Sequence, residues 1–87
     1  MIMQIKMKGD YRNMLSEAIK MTRQKVFLSQ QEFADALKVS VSTINRWETG
    51  KVRPNLTAMK HLKQFCNEHN LMYENIEKEW FSHSQGD

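Results

Sequence analysis

Cysteine, proline and glycine are all scarce in this 87-residue chain, with one, one and three copies. One cysteine excludes an internal disulfide, and Cys66 lies in an apolar helical pattern that suits a small core residue better than a reactive thiol. Three isolated glycines exclude a glycine-rich phosphate loop. No apolar run exceeds three residues, so nothing long enough to span a membrane is expected. The start of the chain has no apolar stretch followed by a small-residue cleavage site, so no secretory signal is expected, and a reducing cytoplasm fits. His61, Cys66 and His69 offer three ligands on turns of mixed facing with no evident fourth, so no metal site is expected. No serine or cysteine has a motif-level partner for nucleophilic catalysis. Glu74, Glu77 and Glu79 read as a solvated helical face. Neither enzymatic activity nor a cofactor is expected.

What is present describes one soluble globular domain with a modest core: 40% of residues are hydrophobic and mean hydropathy is -0.67. The formal charge of +3 is compatible with a nucleic-acid partner without establishing one. Placement says more than the total. Lys6, Lys8, Arg12, Lys20, Arg23, Lys25, Arg46, Lys51 and Arg53 all precede Pro54, whereas the chain from Asn67 onward sets four glutamates and one aspartate against Lys78 alone. This asymmetry points to a phosphate-facing N-terminal body and a C-terminal end kept away from phosphates.

Residues 1–9 form an arm in which Met3, Ile5 and Met7 alternate with Gln4, Lys6 and Lys8, as a short strand or a frayed end would. Residues 10–81 form the domain and 82–87 a polar tail. Asp10 is placed to cap a first helix running to about Gln24, buried through Tyr11, Met14, Leu15, Ala18 and Ile19. After Lys51 to Pro54, a basic loop, Asn55 caps a fourth helix buried through Leu56, Met59, Leu62, Phe65 and Cys66. Asn70 opens a fifth, with Met72, Tyr73, Ile76 and Trp80 on one face. Met14, Met59 and Met72 are expected to fill gaps in the core.

Most information lies between Gln30 and Thr49. Ser29, with Glu32 three positions on, suits a capping box for QQEFADAL. Ser40 is placed to cap VSTINRWET, and Gly50 to end it. Two capped helices joined by Lys38-Val39-Ser40 must cross steeply, as in a helix-turn-helix. Phe33, Ala34 and Leu37 mark one inner face, Ile44 and Trp47 the other, and Val39 can plug the gap beneath the turn. Val41, Ser42, Asn45 and Arg46 are left on the outer face of the second helix.

The stretch LSQQEFADALKVSVSTINRWETGKVRP resembles the DNA-binding module of the Cro/phage-repressor (XRE) helix-turn-helix family, over roughly Tyr11 to Asn67. The opening Leu28-Ser29-Gln30, the Val39-Ser40 turn, Ile44, Trp47-Glu48, Gly50 and Arg53-Pro54 carry the likeness. It implies an all-α, compact five-helix bundle whose third helix enters the major groove of double-stranded DNA. Lys38 stands where that family has a left-handed glycine, which costs a lysine on the order of 1 kcal/mol, so the turn is expected to depart from ideal geometry. Val41 and Ser42 in the first turn and Asn45 and Arg46 in the next are the candidate base readers, an Arg fork suiting guanine and an apolar side chain the thymine methyl. Gln30 resembles the family's glutamine that touches a phosphate and props the recognition helix; Thr43, Lys51 and Arg53 are the other expected backbone contacts, with Ser40 at the helix start. Arg23 and Glu48 match an internal ion pair of the family, the alternative being that Arg23 is one more phosphate contact. The expected protein is a dimeric transcriptional repressor. The open alternative is an antitoxin that neutralises a toxin partner and binds DNA for autoregulation; a restriction-modification controller is a third possibility. The dimer contact is expected on the fifth helix, through Tyr73, Trp80 and Phe81, or on the Met1–Met7 arm.

Overall fold

A computed structural model describes residues 11–82; the arm over 1–9, Asp10 as a cap and the tail after Ser82 lie outside the described residues. Five helices follow in order: α1 (Tyr11–Lys25), α2 (Gln30–Leu37), α3 (Val41–Glu48), α4 (Leu56–Glu68) and α5 (Glu74–Ser82). The architecture is all-α, with no strand among the described residues.

Three of the helices begin where side chains can satisfy orphan amides. Ser29 Oγ accepts from Glu32 N at 3.0 Å while the Glu32 carboxylate accepts from Ser29 N at 2.8 Å, completing the capping box of α2. Ser40 Oγ accepts from Thr43 N at 3.1 Å, and Asn55 Oδ1 from Ala58 N at 2.9 Å, at the starts of α3 and α4.

The first four helices end with one shared closure. Phe27, Lys38, Gly50 and Asn70 each take a left-handed backbone, with φ of 58, 62, 79 and 56°. The next residue donates its amide five residues back: Leu28 to Arg23 O, Val39 to Ala34 O, Lys51 to Arg46 O and Leu71 to Cys66 O, at 2.8–3.3 Å. These are Schellman motifs, and Leu28, Val39 and Leu71 then drop onto the core. The turn between α2 and α3 therefore keeps the left-handed geometry that Lys38 was expected to forgo. The two backbone bonds and Val39 packing outweigh the cost of the lysine Cβ. Lys38→Gly is accordingly expected to raise stability by only about 0.5–1 kcal/mol, because glycine's greater loss of freedom on folding offsets part of the relieved strain. A urea titration with an unmoved midpoint would show that the turn holds no strain.

The core forms where α2 crosses α3 and α4, and where α1 packs on α3 and α5. Leu15, Ile19, Phe33, Ala34, Leu37, Ile44, Trp47, Met59, Leu62, Phe65, Cys66 and Ile76 are buried, and the rings of Phe33 and Phe65 meet edge to face at 5.2 Å. Burial pushes the Cys66 thiol above its ordinary pKa, against a smaller opposing pull from Lys25, as befits a packed residue.

Four expectations are corrected. Met14 and Met72 are 54% and 63% exposed rather than in the core. Leu56 is 64% exposed although Ala58 and Met59 of the same first turn are buried, so it lies off the covered face of α4. Asn70 ends α4 instead of opening α5, which starts at Glu74, so Met72 lies in the connecting segment and escapes the helical spacing assumed for it. Tyr73 and Trp80 do pack against the core, with Tyr73 Oη donating to Met59 O at 3.3 Å.

Candidate nucleic-acid interface

The two sides of α3 differ sharply. Ile44 and Trp47 are buried at 0% and 4% exposure, whereas Val41, Ser42, Asn45 and Arg46 are all exposed. Helical spacing explains the split, since three- and four-residue steps return to the same face. The side chains of Asn45 and Arg46 make no hydrogen bond or ion pair with the described residues, so no internal partner competes for them. Val41 is 39% exposed at the first helical position, beside Ser42. Ser40 Oγ is committed to the cap and lies 2.9 Å from Thr43 Oγ1 and 3.4 Å from Ser42 Oγ. A row of hydroxyls therefore marks the amino end of α3, which is also the positive end of its dipole.

What fixes this probe in the body is Glu48, the last residue of α3. Arg23 of α1 donates to it through Nε at 2.8 Å and Nη2 at 2.9 Å, a two-pronged pair. Gln30, the first residue of α2, donates Nε2 to the same carboxylate at 3.0 Å. Arg23 Nη1 also donates to Leu28 O at 2.9 Å, which ties in the α1–α2 corner. The side chains of Arg23 and Glu48 are only 14% and 3% exposed. The bond to Glu48 holds the guanidinium above its usual range, although burial pulls the other way. Of the two readings left open for Arg23, the internal pair is the one observed.

Gln30 is thus a strut between α2 and α3. Its amide nitrogen carries a second hydrogen, and the Gln30 and Gln31 amides open α2, where an anion is favoured. After Gly50, Lys51 is exposed on the loop to α4. Arg53 is more engaged: its guanidinium lies 4.1 Å from the Trp80 ring centre and Nη2 donates to Trp80 O at 3.1 Å. Trp80 Nε1 in turn donates to Pro54 O at 2.7 Å. This latch between the loop and α5 joins residues 26 and 27 positions apart, and no local pattern in the sequence announced it.

His61 Nδ1 lies 3.0 Å from Leu37 O and His69 Nδ1 2.9 Å from Phe65 O. Cys66 is sealed in the core, so the three do not converge. Among the described residues no group of three potential ligands could hold a metal ion, and no helix is long and apolar enough to cross a membrane.

A short capped helix, anchored by a tryptophan and an ion pair and presenting a polar outer face, defines a DNA-binding helix-turn-helix protein. A helix-turn-helix family model of the Cro/C1 (XRE) type matches residues 14–69, and the chain belongs to that family of DNA-binding regulators. No curated protein and no solved structure matches the chain significantly.

Proposed function

We propose that this protein is a transcriptional repressor that binds a two-fold-symmetric operator as a homodimer, with half-sites about one helical turn apart. The observation that carries the reading is the outer face of α3, where Val41, Ser42, Asn45 and Arg46 stand exposed on a helix whose other side is locked by Ile44, Trp47 and Glu48. Arg46 suits a guanine edge, Asn45 an adenine edge or a phosphate, Ser42 either donor or acceptor, and Val41 a thymine methyl. Gln30, Ser40, Thr43, Lys51 and Arg53 line the phosphates, Arg53 from a guanidinium already seated on Trp80. The dimer contact lies on α5 around Phe81, which is 57% exposed. A single module reads few base pairs, so pairing two copies supplies the affinity that repression needs.

The test is selection of bound sequences from random duplexes, run with the parent, Arg46→Ala and Lys51→Ala. Arg46→Ala is expected to relax preference at one position per half-site, by about 1–3 kcal/mol, while Lys51→Ala weakens all sequences alike. Selection of a palindromic site supports the dimer. Parent-like preference and affinity in both variants would move the reading face elsewhere. Co-purification of a second polypeptide that blocks DNA binding would favour the antitoxin role instead.

A further inference from the structure

Phe27 departs from ordinary practice twice at one residue. Its backbone is left-handed, with φ 58°, and its side chain is 91% exposed. Bulky residues avoid that region because the Cβ crowds the following carbonyl. The closure of α1 needs only the backbone: Phe27 N donates to Gln24 O at 3.0 Å and Leu28 N to Arg23 O at 3.3 Å. Glycine or asparagine would keep both bonds. The ring therefore contributes almost nothing to packing, yet it occupies a position that disfavours it.

Its surroundings give the ring a use. Leu28 O accepts from Arg23 Nη1, so this corner is rigidly joined to the Arg23–Glu48–Gln30 bridge that orients α3. Gln30 and the opening amides of α2 follow three residues later, within about 10 Å of chain. Exposed Lys25 precedes it by two residues. In chain order the exposed ring lies between Lys25 and the start of α2; the Glu32 carboxylate offsets part of the positive pole there, so the exposed Lys25 ammonium and the Gln30 and Gln31 amides supply the attraction for a polyanion. The DNA backbone offers that combination, since each pair of phosphates is separated by an apolar deoxyribose.

We propose that Phe27 is a further DNA contact, packing its ring on a deoxyribose at the outer flank of each half-site while Lys25 and the amino end of α2 take the neighbouring phosphates. The inference rests on the DNA-reading role of α3, and it adds a contact that widens the footprint without reading sequence. A protein partner is the competing occupant; the flanking cation and helix pole favour the duplex.

Phe27→Gly separates the contact from the fold, because it relieves the left-handed strain and removes the ring. The full-length variant is expected to melt about 4 °C higher than the parent. It is also expected to bind the selected operator about fivefold to tenfold more weakly, with the same salt slope, since no phosphate contact is lost. Hydroxyl-radical footprinting, which attacks deoxyribose C–H bonds, should show one sugar per flank losing protection. Phe27→Tyr should keep both affinity and footprint. Affinity within twofold of the parent and an unchanged footprint for Phe27→Gly would overturn the proposal, whether or not a protein partner is then found. Failure of the parent to bind any duplex would instead overturn the role of α3, so the two failures are distinguishable.

Discussion

Glu48→Ala is expected to cost about 3–5 kcal/mol of folding stability, the range for removing one member of a buried ion pair. The magnitude follows from what is left behind. Arg23 would keep its charge at 14% exposure with no carboxylate, and Gln30 would lose its only acceptor among the described residues. An exposed pair of the same length would be worth at most about 1 kcal/mol, so burial decides between the two outcomes. A small domain holds a total of only about 5–15 kcal/mol, so the variant is expected to forfeit a large share of its stability. The double variant Arg23→Met/Glu48→Leu is expected to recover most of the loss, because no charge is then stranded. It should fall short by about 1 kcal/mol, since Leu28 O loses the donor that Arg23 Nη1 provides. Urea titrations of parent, single and double variants measure all three quantities. A loss below about 1 kcal/mol for Glu48→Ala would mean that water reaches the pair and that α3 is oriented by Ile44 and Trp47 without it.

The stretch from Ser29 to Gly50 was legible because each signal there is local. A capping box spans four residues, an inner face repeats within one turn, and Gly50 falls where a left-handed residue is required. The identities of Phe33, Ala34, Leu37, Ile44 and Trp47 as core residues follow from the same short spacing. Met14, Leu56 and Met72 failed for the opposite reason. Periodicity says which residues share a face, but whether another helix covers that part of the face depends on crossings set far along the chain. Lys38, Asn70 and Phe27 were misread or passed over because a left-handed residue need not be glycine when backbone bonds and a buried follower hold the turn. Thr22 gave no signal at all: it is buried on α1, where its hydroxyl is satisfied by Ala18 O at 2.8 Å.

The same distinction applies to the proposed interface. The candidate base readers are exposed because α3 turns Trp47 and Ile44 inward, which a periodic pattern can express. The supports behind them are not local. Glu48 draws on α1 and α2, and Arg53 on α5, so the loop carrying Lys51 is positioned by a residue of the last helix. A substitution on α5 should therefore reach the DNA face through Trp80, Pro54 and Arg53 rather than by contact with the duplex.

Salt should have the largest effect on binding. If each protomer neutralises about five phosphates, a dimer should show a log–log slope of affinity against salt near -9. Between 50 and 200 mM salt a slope of that size amounts to a loss of roughly 10⁵ in affinity. Arg23 is not among the cations counted, because its guanidinium is spent on Glu48 and Leu28 O. Lys51 is counted, being exposed on the loop that follows α3. Lys51→Ala is expected to flatten the slope by about 2, one contact from each protomer, and to leave the melting temperature where it was. Arg53→Ala is expected to flatten the slope too, but also to lower the melting temperature, because it releases the stacking on Trp80 and the bond to Trp80 O. Fluorescence-anisotropy titrations of a labelled operator at several salt concentrations, paired with thermal melts, give both readouts. A parent slope near -4 would point to a single protomer on the DNA, because half the contacts release half the counterions.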